Sequence, residues 1–152
     1  MNLTKHFTLN EATFSPTATR KGIDNNPGVE ETQNLINLCV YVLEPVRKFL
    51  GEPLRITSGY RSPELNAAIG GASKAGKQTS QHCEGKAADI VCEGRNAEIF
   101  RYLKNLDIDQ AIWEFGTDKE PSWVHVSWNG SKNRNQYLKA IKRNGKTQYI
   151  KF

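Results

Sequence analysis

Apolar positions along the chain change period several times, and each change marks an element. From Val29, the residues Leu35, Ile36, Leu38, Cys39, Val42, Leu43, Val46 and Phe49 recur at three- and four-residue intervals until Gly51. That is the signature of a helix with one buried face. Pro45 lies inside the run, so the helix is expected to kink there or to restart with the proline in its first turn. Pro53–Ser58 reads as a short strand, Pro63–Ile69 as a short helix opened by proline, and Ala87–Cys92 as a second strand. Asn96 is placed to cap a helix that reaches Leu103. Gln110–Phe115 and Trp123–Trp128 are β-rich runs joined by a polar loop, which predicts a hairpin. Ser131–Arg143 reads as a final helix and Gln148–Phe152 as a last strand. Residues 1–28 are polar and turn-rich, an extended lead-in with at most a short helical turn near Leu9–Thr13, and residues 70–79 read as a loop. Together these predict one α+β domain over residues 1–152. It would have a small antiparallel sheet, helices packed on one side, and a basic helix and tail over residues 131–152.

The composition fits a soluble globular domain of 152 residues, 38% hydrophobic and 24% charged, large enough to bury a core. No stretch is apolar enough for a signal peptide or long enough to span a membrane, so the expectation is synthesis in the cytoplasm without membrane insertion. A formal charge of +5 favours an anionic partner. Lys139, Lys142, Arg143, Lys146 and Lys151 thicken the carboxyl terminus, and they read as a solvated basic tail. No base-stacking or helix-in-groove pattern accompanies them, so nucleic acid is not an expected partner. Three cysteines, an odd number, argue against a disulfide framework, and their spacing matches no zinc finger. The segment Gly71–Lys77 has the glycine and lysine spacing of a phosphate-binding loop. Gln78 stands where that loop needs a hydroxyl, and no apolar strand leads into it.

The segment Ser80–Ile90 changes the picture more than composition does. It sets His82 and Asp89 seven residues apart around Gly85. A second imidazole follows in Trp123–Trp128, where alternation turns Val124 and Val126 to the core and His125 to the opposite face with Trp123 and Ser127. His6 lies in a polar stretch and reads as a surface residue. Two imidazoles and one carboxylate without a fourth protein ligand describe a catalytic zinc site, because structural sites are closed by four.

The motif Ser80-x-His82-x-x-Gly85-x-Ala87-x-Asp89 is preceded by Ser58-Gly59-Tyr60-Arg61-Ser62 and followed by Trp123-Val124-His125. In this order the three motifs resemble the zinc D-Ala-D-Ala carboxypeptidase superfamily. That group includes VanX- and VanY-type D,D-peptidases and phage L-alanyl-D-glutamate endolysins, and it shares its zinc fold with the hedgehog signalling domain. The resemblance runs over residues 5–128, and His6–Glu11 is similar to the short single-domain phage and bacterial members. It implies a Zn2+ ion held by His82, Asp89 and His125, and an Arg61 that contacts substrate and steadies a developing oxyanion. Ser80 would lie near the substrate, although a serine in such a loop equally caps a turn.

One departure concerns the general base. Many relatives carry an acid three residues before the last histidine, where this chain has Ser122. Glu114 and Glu120 are the nearby alternatives. A hairpin centred on residues 116–123 would set Glu114 directly opposite His125, and Glu114 is preferred because a charge flanked by Ile112, Trp113 and Phe115 needs a reason to be there. The expected function is zinc-dependent hydrolysis of a peptide bond in peptidoglycan stem peptides, by a D,D-carboxypeptidase or an endolysin-like endopeptidase. Such an enzyme would act as a monomer on the cell wall after release. The alternative is an inactive, zinc-stabilised wall-binding module, which the missing acid at Ser122 would suit.

Overall fold

Short capping signals organise the amino-terminal part. In the computed structural model, which describes residues 1–152, helix α1 (Leu9–Thr13) begins where the Thr8 hydroxyl accepts from the Glu11 N–H. Helix α2 (Pro16–Lys21) begins where Ser15 accepts from the Ala18 N–H and Pro16 supplies a helical φ. The lead-in is therefore more structured than an extended segment: α1 matches the expected turn and α2 is additional. Helices α3 (Val29–Leu38) and α4 (Glu44–Leu50) run on through a wider π turn at Cys39–Leu43, where the Glu44 N–H donates to the carbonyl of Cys39. Pro45 has no N–H to donate, and its ring would crowd the carbonyl of Tyr41. The five-residue turn just before it relieves both problems, and the helix continues.

The rest of the chain supplies strand β1 (Arg55–Ser58), helix α5 (Pro63–Ala68), a two-residue hairpin β2 (Ser73–Lys74) and β3 (Lys77–Gln78), strand β4 (Ala87–Val91) and helix α6 (Asn96–Leu103). Strands β5 (Gln110–Glu114), β6 (Trp123–Ser127), β7 (Gln136–Arg143) and β8 (Lys146–Lys151) complete it. Six strands form one sheet in the order β1-β4-β6-β5-β7-β8. The fold is α+β as expected, but the sheet is mixed rather than antiparallel, because β5 and β7 run parallel from Gln110↔Gln136 to Glu114↔Ala140.

The expected helix over 131–143 is instead strand β7. Tyr137, Leu138 and Ile141 have helix-like spacing, but the free edge of β5 needs a hydrogen-bonding partner and β7 provides it. Strand β8 then pairs back along β7 through a turn at Asn144 and Gly145, both with positive φ of 54° and 75°. Asn-Gly suits that tight hairpin turn.

One face of the sheet is packed. Ala88, Ile90, Ala111, Trp113, Val124 and Val126 meet Leu35, Leu38, Val42 and Val46 of the long helical run and Ile99, Phe100 and Leu103 of α6 in a single core. Burying each large aliphatic or aromatic side chain there contributes about 1.5–3 kcal/mol. The expected cap of α6 is corrected. The Asn96 side chain accepts from the Cys92 N–H and donates to the carbonyls of Pro121 and Ser122, while the Glu120 carboxylate accepts from the Ala97 N–H at 2.6 Å. The opposite face of the sheet carries Asp89, Ile112, Glu114, Trp123, His125 and Leu138 toward an open cleft. No helix is long and apolar enough to cross a membrane.

Candidate metal centre and its cleft

Strand pairing alone brings the first two side chains together. Asp89 on β4 lies directly opposite His125 on β6, so their side chains rise from the same face. The His125 Nδ1 is 3.1 Å from the Asp89 Oδ1. His82 arrives from the short 3-10 turn Gln81–Glu84 that precedes β4, and its Nε2 is 3.6 Å from the same Asp89 oxygen. One potential ligand atom from each of the three residues lies within 4.8 Å of the others.

The turn that carries His82 is fixed at several points. The Ser80 hydroxyl accepts from the His82 N–H, Gly85 closes the turn with a φ of 72°, and the His82 carbonyl accepts from the Arg61 N–H at 3.1 Å. The His82 Nδ1 is 2.7 Å from the Gly59 carbonyl, to which it donates. That bond fixes the tautomer and leaves the Nε2 lone pair facing Asp89. Gly59 can serve this way only as glycine: a Cβ there would meet the Ala12 carbonyl oxygen at 2.2 Å, because α1 lies directly against it. Helix α1 thus has a role at the site that its position in the chain does not suggest.

The donor set fits a tetrahedral metal ion. Ligands at the usual 2.0–2.1 Å from zinc lie about 3.3 Å apart, close to the separations of both imidazoles from Asp89. Burial lowers the pKa of His82, so its ring is neutral and able to donate a lone pair. Burial alone would raise the Asp89 carboxyl, but the hydrogen bond from His125 and the closeness of the His82 ring outweigh it and hold the group well below the usual carboxylate range. The cluster therefore offers two imidazoles and one carboxylate, and it could hold a metal ion.

A cleft of about 690 Å³ surrounds this centre. Arg61 lines one side. Its Nη2 lies 3.3 Å from the Ser80 hydroxyl, which accepts, and its buried Nε has no partner in the protein. Burial lowers the Arg61 pKa, opposed by the Asp89 charge. Ser80 accordingly does what its alternative reading described, capping the turn, and it also holds Arg61.

Glu114 lines the same cleft and is 8% exposed. Its register differs from the expected one: Ile112, not Glu114, faces His125, and Glu114 pairs with Trp123. The two-residue offset keeps Glu114 on the cleft face, diagonal to His125. Burial pushes its carboxyl up to about 7, with His125 lowering it and the Asp89 charge raising it. Glu120 is instead engaged at the amino terminus of α6 and is not among the cleft residues. Ser122 is exposed, and its N–H donates to the Glu114 carbonyl.

Two features, one behind the cleft and one lining it, were absent from the sequence reading. Asp109, only 1% exposed, accepts from Arg134 Nε at 3.0 Å and Nη2 at 2.7 Å, and from Gln81 Nε2 at 2.9 Å. It ties the residue next to His82 to the start of β5 and to the segment before β7. The second is the far wall, made by Leu138 and Lys142 of β7 and Thr147 and Tyr149 of β8. The signal for it was the Asn144-Gly145 pair. Burial and the charges of Glu114 and Asp89 raise the pKa of the Tyr149 phenol.

The model of the peptidase M15 family matches residues 5–127 of the chain. No curated protein matches it. The matched span holds His82, Asp89, His125, Arg61 and Glu114, and it ends before β7 and β8 begin.

Proposed function

The chain belongs to the peptidase M15 family, a family of metallopeptidases, and from that premise we propose that it is a zinc peptidase that hydrolyses a bond in peptidoglycan stem peptides. In this reading residues 1–152 act as one zinc peptidase domain of the D,D-peptidase and hedgehog kind. The observation that carries it is the convergence of His82, Asp89 and His125 in one cleft with a buried carboxyl, Glu114, and a cation, Arg61. His82, Asp89 and His125 hold the metal. Zinc bound there would supply a Lewis acid that polarises a peptide carbonyl and lowers the pKa of water toward ~7.

The protein's own groups do the rest. Glu114 accepts the proton of the attacking water and returns it to the leaving amine, a task suited to a carboxyl held at about 7. Arg61 keeps its charge and has an unpartnered Nε–H, so it can donate to a developing oxyanion or to a substrate carboxylate without first breaking an ion pair. Asp109 and Ser80 hold the Gln81–Glu84 turn and Arg61 in place. Two neutral imidazoles and one carboxylate leave a divalent ion with net positive charge, which hydrolysis requires.

The cleft runs past the centre on both sides, toward Arg61 on one and Lys142 on the other, and this favours an endopeptidase of the endolysin kind over an enzyme that only trims a terminal D-alanine. Metal analysis tests the ligand set. The wild type is expected to hold one zinc per chain, and His82→Ala, Asp89→Ala and His125→Ala are each expected to lose it. Full zinc content in all three variants would contradict the assignment.

A further inference from the structure

The charge of the chain is unevenly divided. After Glu120 there are seven Lys and Arg residues and no Asp or Glu, whereas the part before it has a small acidic excess. Most of this basic segment folds as β7 and β8, outside the span matched by the family model. It is a hairpin and not a loose tail, although every residue of β8 is exposed. Its pairing with β5 makes it the far wall of the cleft, with Leu138, Lys142, Thr147 and Tyr149 among the lining residues.

The cations that line the cleft differ in what they already bind. Arg134 is held in a bidentate pair by Asp109. Lys139, one strand face away, pairs with Asp118. Lys142 has no carboxylate partner. Its ammonium donates to the Thr147 hydroxyl across the hairpin at 3.1 Å and lies 5.5 Å from the centre of the Phe115 ring. The hydroxyl and the ring hold the head group at the rim without neutralising it. Arg61, on the β1 side of the centre, likewise makes no ion pair: its Nη2 donates to Ser80 and its Nε has no partner. The cleft therefore presents one cation free of any ion pair at each end, with Asp89 and Glu114 between them.

Strand register gives the spacing. Leu138 is level with His125 through Ile112, and Lys142 lies four residues further along β7. Two strand spacings across and four residues along put the Lys142 and His125 backbones on the order of 16 Å apart. After the reach of the lysine side chain, about three residues of extended peptide span the gap.

We infer that Lys142 is a specificity residue: it binds a substrate carboxylate about three residues from the scissile bond, on the side opposite Arg61. This rests on the peptidase reading and deepens it. The substrate class is then an extended peptide with an acidic group about three residues beyond the bond that is cut, which suits an enzyme that opens a stem peptide internally.

A binding experiment separates this inference from catalysis. The zinc-loaded full chain carrying Glu114→Gln would be titrated calorimetrically with a synthetic stem tetrapeptide bearing a free C-terminal carboxylate, three residues beyond its L-alanyl–D-glutamyl bond, and with the same peptide amidated there. The free acid is expected to bind about fivefold or more tightly. Adding Lys142→Met should abolish the difference, and Lys142→Arg should retain it. Equal binding of the two peptides, or a preference that survives Lys142→Met, would overturn the inference. If the preference is found but wild-type protein cuts neither peptide, the anion subsite stands and the peptidase reading falls.

Discussion

Two carboxyl groups share this cleft, and their surroundings drive them apart. Burial raises Glu114 to about 7, whereas Asp89, also subject to burial, is held down by the hydrogen bond from His125 and by the neighbouring His82 ring. In the proposed reading one exchanges a proton near neutral pH and the other stays ionised as a ligand, the division that acid–base chemistry requires. Glu114→Gln is therefore expected to keep zinc while lowering kcat by about 10²–10⁴-fold, measured on a stem peptide. In the wild type, kcat/KM should rise with pH along an acid limb at or below about 7, because a bound cation favours the ionised form. The same shift has a stability consequence in the metal-free protein. A carboxyl whose folded pKa lies above its unfolded value of 4.5 contributes stability that is full below pH 4.5 and is lost as pH rises through about 7. Metal-free Glu114→Gln should then match the wild type near pH 4 and exceed it above pH 7, by up to about 3 kcal/mol in denaturant titrations. Gly59→Ala tests the support of His82: pressing on Ala12 should weaken zinc binding about 10–100-fold, read by competition with a chelator.

At the scale of elements, the alternation of Trp123–Ser127 and the spacing of His82 and Asp89 were legible because each depends on local periodicity. Register was less so. Glu114 sits two residues away from its expected partner because the turn between β5 and β6 carries its own hydrogen bonds, Thr117 N–H to Glu120 carbonyl and Ser122 N–H to Glu114 carbonyl. Helix α2 had a full set of local signals in Ser15, Pro16 and Gly22, overlooked in a polar stretch. Strand β7 shows the limit of periodicity: its apolar spacing reads as a helix, and only the need to pair the edge of β5 decides otherwise. The Asn144-Gly145 pair was the local clue that pointed the right way. Glu120 provides the test at this scale. As a cap of α6, its replacement by alanine should cost about 0.5–2 kcal/mol of stability in thermal or denaturant unfolding. Its kcat should stay at the wild-type value; a collapse of activity with zinc retained would make Glu120 the base instead.

Across the whole molecule, one sheet separates two functions. Its packed face joins the helices in the core, and its open face holds His82, Asp89 and His125, Glu114 and a basic far wall. The site residues came from all along the sequence, from Arg61 to Tyr149, so only motifs with fixed spacing could be recognised before the sheet order was known. The basic wall also predicts salt dependence: kcat/KM on an acidic stem peptide should fall as ionic strength rises from about 0.01 to 0.15 M, more steeply than on its amidated counterpart. The claim on which the rest depends is that this cleft cuts wall peptides with zinc. The most direct measurement is mass spectrometry of purified muropeptides after incubation with zinc-loaded protein, beside a chelator-stripped sample. Stem peptides should be split, with one water added across a single bond, only where the metal is present. Intact stem peptides after incubation with the fully zinc-loaded chain would contradict the account.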